Sequence, residues 1–331
     1  MLLPASCRTT PPPISLELVH RSQPLLGTFV TISVYAASRD PAHSAINAAF
    51  DEFRRVDDLM SIHRADSELS RLNSRAASEP VPASADLFRV IAKAQEIAGE
   101  TEGSFDITIR PLADLWGFTW KEYRLPKDDE LKAVLPRVNY RLIELNAERR
   151  TIHFLAEGVS LDLGGIAKGF AVDCAIDRLR QLGFTNAMVK AGGDLRVIGN
   201  PPGRGRWPVQ LEDPRKQGER VVIPLRDAAL STSGDYENFF EVNGTRYGHI
   251  LNPCTGLPVE GVAACTVIAP TCMESDALAT ACFVYGVEKG LAKFGDRYPV
   301  QFTVMPAHAG KRTYLVRQTA SFPKAQDGAA D

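Results

Sequence analysis

The sequence predicts an α+β fold in which largely antiparallel mixed sheets carry flanking helices. Three observations lead there. An apolar stripe at helical spacing occupies residues 41–60. The second half holds a series of short β-rich runs, with the hairpin dipeptide Asn243-Gly244 among them. Helices and strands also follow one another without the regular βα alternation of a doubly wound sheet.

Taken in order, residues 1–24 are rich in Pro, Ser and Thr and are expected to be a flexible segment outside the core. Gly27–Tyr35 alternates apolar and polar residues and reads as the first strand. Ile46, Phe50, Phe53, Val56 and Met60 share one face of a helix beginning near Pro41, a residue suited to a first turn. A second helix is expected over Ser84–Glu100, with Leu87, Ile91, Ala94, Ile97 and Ala98 inward. A short helix over Ala113–Phe118 should end at Gly117, and the charged stretch Lys121–Pro136 reads as a surface insertion. Asn139–Leu145 and Thr151–Leu155 resemble a hairpin feeding a strand before Asp162. The helix after it should bury Ile166, Phe170, Ala175, Leu179 and Leu182 and stop at Gly183. Strands are expected at Asn186–Val189, Asp194–Ile198, Val209–Glu212, Val221–Pro224, Phe239–Val242 and Val262–Ala269. A helix at Met273–Tyr285 and strands at Val300–Met305 and Thr313–Val316 complete one domain over 25–318, before a disordered tail at 319–331.

The 331 residues, 44% hydrophobic and 24% charged, have the composition of a soluble globular protein. A net charge of −2 without a basic stripe argues against nucleic acid as a partner, and no apolar run reaches the length of a transmembrane span. The six cysteines contain no C-x-x-C, which argues against zinc, and free thiols are expected. Met1–Ser6 before Cys7 has the small residues of a lipoprotein signal's end but lacks its basic and long apolar parts, so the chain as given reads as cytoplasmic.

The most informative stretch is Val159–Asp173. An apolar strand is expected to run into Gly164-Gly165, and a helix follows with Lys168 in its first turn. Glycines without a Cβ allow close approach of a ligand, and helix N-terminal N–H groups with a lysine favour an anion. The local reading is a phosphate or pyrophosphate cradle. Asp276 and Thr280 lie four residues apart on one helix face, as hard oxygen donors suited to Mg²⁺ or as the acidic start of a helix. His249, in Tyr247-Gly-His-Ile-Leu-Asn-Pro-Cys-Thr-Gly256, sits between a strand and a turn, as a general base or as a structural histidine; the other histidines have no comparable setting. Ser231-Thr-Ser-Gly234 lacks a nucleophile-elbow context. Ala191-Gly-Gly-Asp194 allows a close approach or a simple bend. Ser104-Phe-Asp106 offers a ring and a carboxylate, or a buried Phe beside a capping Asp; Asp57–Asp58 reads as a solvated helix face.

In this order the segments resemble the ApbE family, the FAD:protein FMN transferases. The matching words are Leu26-Gly-Thr-Phe29, Met60–Asn73, Gly103-Ser-Phe-Asp-Ile-Thr, Pro111-Leu with Leu115-Trp-Gly-Phe118, Asp162–Asp173, Ala191–Asp194, Ser231–Gly234, His249-Ile-Leu-Asn-Pro with Thr255-Gly256, and Val267–Pro270 followed by Glu274-Ser-Asp-Ala and Thr280. Each is weak alone, and their number in one order gives the resemblance its force. The resemblance implies an ApbE/T-fold-like architecture and transfer of the FMN half of FAD to a Thr or Ser hydroxyl of an acceptor flavoprotein, such as a membrane redox-complex subunit, with release of AMP. It implies Mg²⁺ held by Asp276, Thr280 and the carbonyl of Gly165, and FAD against Leu26, Ser104, Phe105, Asp106, Asp162, Lys168 and Ile250, with His249 as the base. Family members work on the periplasmic face of the inner membrane, which applies here if the start of the chain lies further upstream. An FAD pyrophosphatase using the same site and a non-catalytic FAD-binding protein are the alternative expectations.

Overall fold

The computed structural model describes residues 15–212, 220–304 and 314–326. Two antiparallel strands, β1 (Glu17–Leu25) and β2 (Thr28–Ala36), open the chain. Helix α1 (Arg39–Met60) turns Ile46, Phe50, Phe53 and Val56 inward, and α2 (Glu68–Arg75) starts at Ser67, whose side chain accepts the Ser70 N–H. Strand β3 (Val81–Pro82) leads to α3 (Ala85–Glu100), capped in the same way by Ser84. Helix α4 (Arg110–Trp116) ends where Gly117 takes the left-handed conformation, and α5 (Asp128–Val134) follows. The hairpin β4 (Ile143–Asn146) and β5 (Thr151–Phe154) joins β3 in a three-stranded sheet. After α6 (Ala167–Gln181) come β6 (Ala187–Ala191), β7 (Asp194–Ile198), the hairpin β8 (Trp207–Glu212) with β9 (Arg220–Leu225), β10 (Ala228–Gly234), the hairpin β11 (Phe239–Val242) with β12 (Thr245–Gly248), and β13 (Val262–Ala269). Helices α7 (Cys272–Tyr285) and α8 (Val287–Phe294) and strands β14 (Val300–Val304) and β15 (Leu315–Gln318) complete the fold.

The main sheet is antiparallel throughout, in the order β1-β2-β6-β7-β10-β13-β14-β15. Helices α1, α6 and α7 pack together over it, with α6 against β6 and β7 and α7 against β10 and β13. The β8–β9 hairpin adds a second apolar cluster of Trp207, Val209, Ile223 and Leu225 with Leu195, Leu230 and Ile268 of the sheet. That double cover explains why β13 is buried at every position and reads as a continuous apolar run instead of an alternating one. Among the described residues, no helix is long and apolar enough to cross a membrane.

Several local expectations are corrected. Residues 1–24 are not all outside the core: Glu17–Pro24 belong to β1, and Val19 is buried. The strand was hidden because an edge strand buries little of itself and tolerates Pro24. The tail is not wholly free, since Phe322 is buried and the Gln326 N–H bonds to Val222 O. The charged 121–136 stretch contains α5, whose Leu131 joins Leu112, Trp116, Phe118, Val138 and Leu251 in a third cluster. Ser231–Gly234 is the end of central strand β10, and Leu182 is exposed. Val159–Leu163 is not a sheet strand. Its backbone is held by the Asn73 side chain, which donates to Leu161 O (3.0 Å) and accepts from Leu161 N (2.8 Å), as a neighbouring strand would. The expected free thiols hold for Cys174, Cys254, Cys265, Cys272 and Cys282; Cys7 lies outside the described residues, as do residues 1–14, 213–219, 305–313 and 327–331.

Candidate active site

Two helix N-termini build the site. Asp162 Oδ1 accepts the Gly164 N–H at 2.7 Å, tightening the turn into α6. Burial pushes the Asp162 carboxyl above its ordinary range, against that bond. In the first turn of α6, Gly169 lies so close to α7 that a Cβ there would sit 2.3 Å from Cys272 O. The Gly169 N–H donates to Asp276 Oδ2 at 3.0 Å, so Asp276 takes one of the N-terminal donors of α6. Asp173 fixes the reciprocal contact: its carboxylate accepts the Cys272 and Met273 N–H groups at the start of α7 and the Arg196 guanidinium at 2.7 Å. The motif carboxylate Asp173 therefore locks the helix of Lys168 to the helix of Asp276 and Thr280.

Lys168 does not project freely from its helix. Its ammonium donates to Gly164 O at 3.1 Å and lies 3.2 Å from Asp194 Oδ2 and 3.9 Å from Asp276 Oδ1. Burial works against its charge, but the carboxylates of Asp194, Asp276 and Glu237 overcome that and hold its pKa well above the usual value. The Asp276 pKa is raised as well, which here disfavours the charge: burial and the adjacent Asp194 carboxylate push it up, with Lys168 only partly compensating. On the next turn Thr280 Oγ1 lies 3.1 Å from Ser233 Oγ, and a Cβ on Gly165 would stand 3.4 Å from Thr280 Oγ1 and 3.2 Å from the Phe105 ring. Gly165, Thr280 and Phe105 thus meet closely enough that a side chain on the glycine would press on both neighbours.

His249 follows β12 and is pinned by a single residue. The Asn238 carbonyl accepts its main-chain N–H at 3.0 Å and lies 3.1 Å from Nδ1. A carbonyl only accepts, so Nδ1 carries the proton and Nε2 keeps its lone pair. Burial, helped by the Lys168 charge, lowers the His249 pKa to about 4 despite the Asn238 bond, so the ring is neutral at pH 7. Asp106 is fully engaged, accepting from Thr108 N and Oγ1 and from Tyr140 N, which holds the 104–106 wall in shape. Burial raises its pKa.

All eleven residues singled out by the sequence border one cavity of about 660 Å³. Leu26, Ser104, Phe105, Asp106 and Ile250 form walls around the Asp162–Lys168 turn, and Gly165, Asp276, Thr280 and His249 join them. Sequence reasoning missed others on the same wall. Asp194 is the ion partner of Lys168 and not a mere bend residue, and Asp57 lines the cavity instead of facing only solvent. His63 also lines it, its ring edge-on to Trp120 at 5.3 Å between centroids. The Gly-Gly-Asp pattern could have flagged Asp194. Asn238 gave no such signal, because it acts through its main-chain carbonyl.

The ApbE family model matches residues 26–302. This chain belongs to the ApbE family. The FAD:protein FMN transferase of Vibrio cholerae is 38% identical over 285 residues, 83% of this chain and 84% of that protein. The structure titled flavin transferase ApbE from Vibrio cholerae matches with a TM-score of 0.81 at 32% identity, over 93% of this chain and 98% of its own. The ApbE protein of Thermotoga maritima matches with a TM-score of 0.84 at 31% identity, over 92% and 97%. Residues from most of the ApbE motif words, scattered through the sequence, line the cavity in the fold.

Proposed function

We propose that this ApbE-family chain is an FAD:protein FMN transferase that moves the FMN half of FAD, with Mg²⁺ present, to a Thr or Ser hydroxyl of an acceptor flavoprotein and releases AMP. The observation that carries the reading is the convergence of a neutral, Nδ1-protonated His249 and the Asp276–Thr280–Gly165 oxygen set on one cavity. Names of relatives at up to 38% identity support the flavin-transfer class.

The donor set fits Mg²⁺. Asp276 and Asp194 are both buried beside the single ammonium of Lys168, so their environment favours an added cation. A carboxylate, a hydroxyl and a main-chain carbonyl are hard ligands, and Mg²⁺ completes its shell with waters and substrate phosphate oxygens. Among the described residues no three His, Cys, Asp or Glu side chains gather to hold an ion on their own. When bound, Mg²⁺ would neutralise charge on the pyrophosphate and ease departure of AMP.

The protein's own groups supply the rest. His249 Nε2 takes the proton of the acceptor hydroxyl, whose oxygen forms the new bond to the FMN phosphorus. The pyrophosphate P–O bond breaks, and AMP leaves with its electron pair. A base of this kind contributes about 10²–10⁴ in rate. Lys168, kept charged by its carboxylate neighbours, supplies fixed positive charge at the mouth of α6. The family resemblance points to a flavoprotein such as a membrane redox-complex subunit as acceptor and, were the chain to start further upstream, to the periplasmic face of the inner membrane as the site of action. Chromatography of FAD, Mg²⁺, protein and acceptor tests the reading. AMP should appear in step with acceptor-bound flavin, whereas free FMN formed without acceptor would identify a pyrophosphatase instead.

A further inference from the structure

We propose that Tyr123 is a positioning residue for His249; the proposal rests on His249 being the base of the transfer reaction. Tyr123 lies in the charged stretch that follows α4, outside any helix. That stretch is tied back to α4 by the Glu122 N–H on Gly117 O (3.0 Å) and the Arg124 N–H on Trp116 O (3.1 Å). The return is so tight that a Cβ on Gly117 would lie 2.0 Å from Glu122 O. From this anchor the Tyr123 ring stacks on Phe240 of β11 with centroids 5.1 Å apart and planes 11° from parallel, and Phe240 stacks in turn on Tyr247 of β12.

The hydroxyl does something stacking does not require. It donates to Asn238 Oδ1 at 2.9 Å. Asn238 lies in the turn between β10 and β11, and its carbonyl is the one that accepts both His249 N–H groups. A backbone carbonyl in a bend can swing when its peptide plane rotates. A side chain fastened to a rigid aromatic stack opposes that rotation. The path is therefore continuous: the end of α4 fixes Tyr123, Tyr123 fixes Asn238, and Asn238 sets the tautomer and orientation of His249. Tyr123 is 37% exposed, so water would satisfy its hydroxyl without the Asn238 bond; its seat on the hairpin keeps that bond formed.

Tyr123→Phe keeps the stack and removes only the hydroxyl. In the full chain with FAD, Mg²⁺ and acceptor, it should lower kcat by about 2- to 10-fold, the value of one hydrogen bond. KM for FAD and thermal stability should stay unchanged. Imidazole ¹⁵N spectra should show His249 as a single Nδ1–H tautomer in the native protein and as a tautomer mixture in the variant. Asn238→Ala should lower kcat similarly, and the double variant should lose no more than the larger single loss. Native kcat with an unchanged His249 spectrum in Tyr123→Phe, a loss confined to KM, or additive losses in the double variant would overturn the proposal. If the native protein transfers no FMN, the transferase reading fails, while the spectra still judge the link from Tyr123 to His249.

Discussion

Gly169→Ala puts the α6–α7 contact to a sharp test because two physical effects predict opposite signs. Inside a helix, replacing Gly by Ala ordinarily stabilises by roughly 0.5–1 kcal/mol. At Gly169 the new methyl would stand 2.3 Å from Cys272 O, 2.6 Å from its carbonyl carbon and 2.8 Å from Met273 N. These are backbone atoms of a helix start that Asp173 already clamps, so no side chain can swing away. Restoring ordinary contact means parting the helices by roughly 1 Å, and overpacking of this kind costs about 1–3 kcal/mol. The Gly169 N–H bond to Asp276 goes with it, a bond to a charged acceptor worth about 1.5–3 kcal/mol. The net expectation is a loss of about 2–4 kcal/mol in urea unfolding, together with weaker Mg²⁺ activation as α7 carries Asp276 and Thr280 away from Lys168 and Gly165. Gly99→Ala in α3 is the control: nothing lies within 4 Å of a Cβ there, and it should be neutral or stabilising. Equal or greater stability for Gly169→Ala, with an unchanged Mg²⁺ titration, would refute the account of how the two helices set the site.

Three further outcomes are expected. Asn73→Ala removes both hydrogen bonds that pin Leu161, and it should destabilise by about 1–3 kcal/mol in denaturant unfolding; an unchanged midpoint would mean the Val159–Leu163 segment is held some other way. Asp276→Ala should shift Mg²⁺ activation to higher concentration, and an unchanged titration would remove Asp276 from the metal site. His249 has a folded pKa of about 4, below its value of roughly 6.5 in the unfolded chain, so between these the unfolded state binds more protons. Its contribution to stability is full above the upper value and is lost as pH falls towards 4. Unfolding of the native protein and His249→Ala across that range should therefore diverge, with the native protein losing more, and parallel curves would contradict the buried, neutral imidazole.

What the sequence disclosed follows from where its information is local. Apolar spacing placed α1, α3 and α6, and β-rich runs placed β7, β11 and β13, because periodicity and burial coincide in those elements. Strand β1 escaped because an edge strand buries little, and α5 because one buried leucine was surrounded by charge. The backbone of Val159–Leu163 looked like a strand because its residues alternate, yet a side chain from residue 73 takes the neighbouring strand's place. The site residues were legible through family motifs, and their convergence needed the fold. The ion pair of Lys168 with Asp194 and the hold of Asn238 on His249 are long-range or main-chain contacts, which no spacing rule encodes.

The most direct test of the central claim is the intact mass of an acceptor flavoprotein incubated with this protein, FAD and Mg²⁺, beside a parallel reaction with His249→Ala. The account expects the acceptor to gain one FMN unit with the native protein and to stay unmodified with the variant, even though the variant still binds FAD. An acceptor that never gains that mass with the native protein, or gains it equally with His249→Ala, would contradict it.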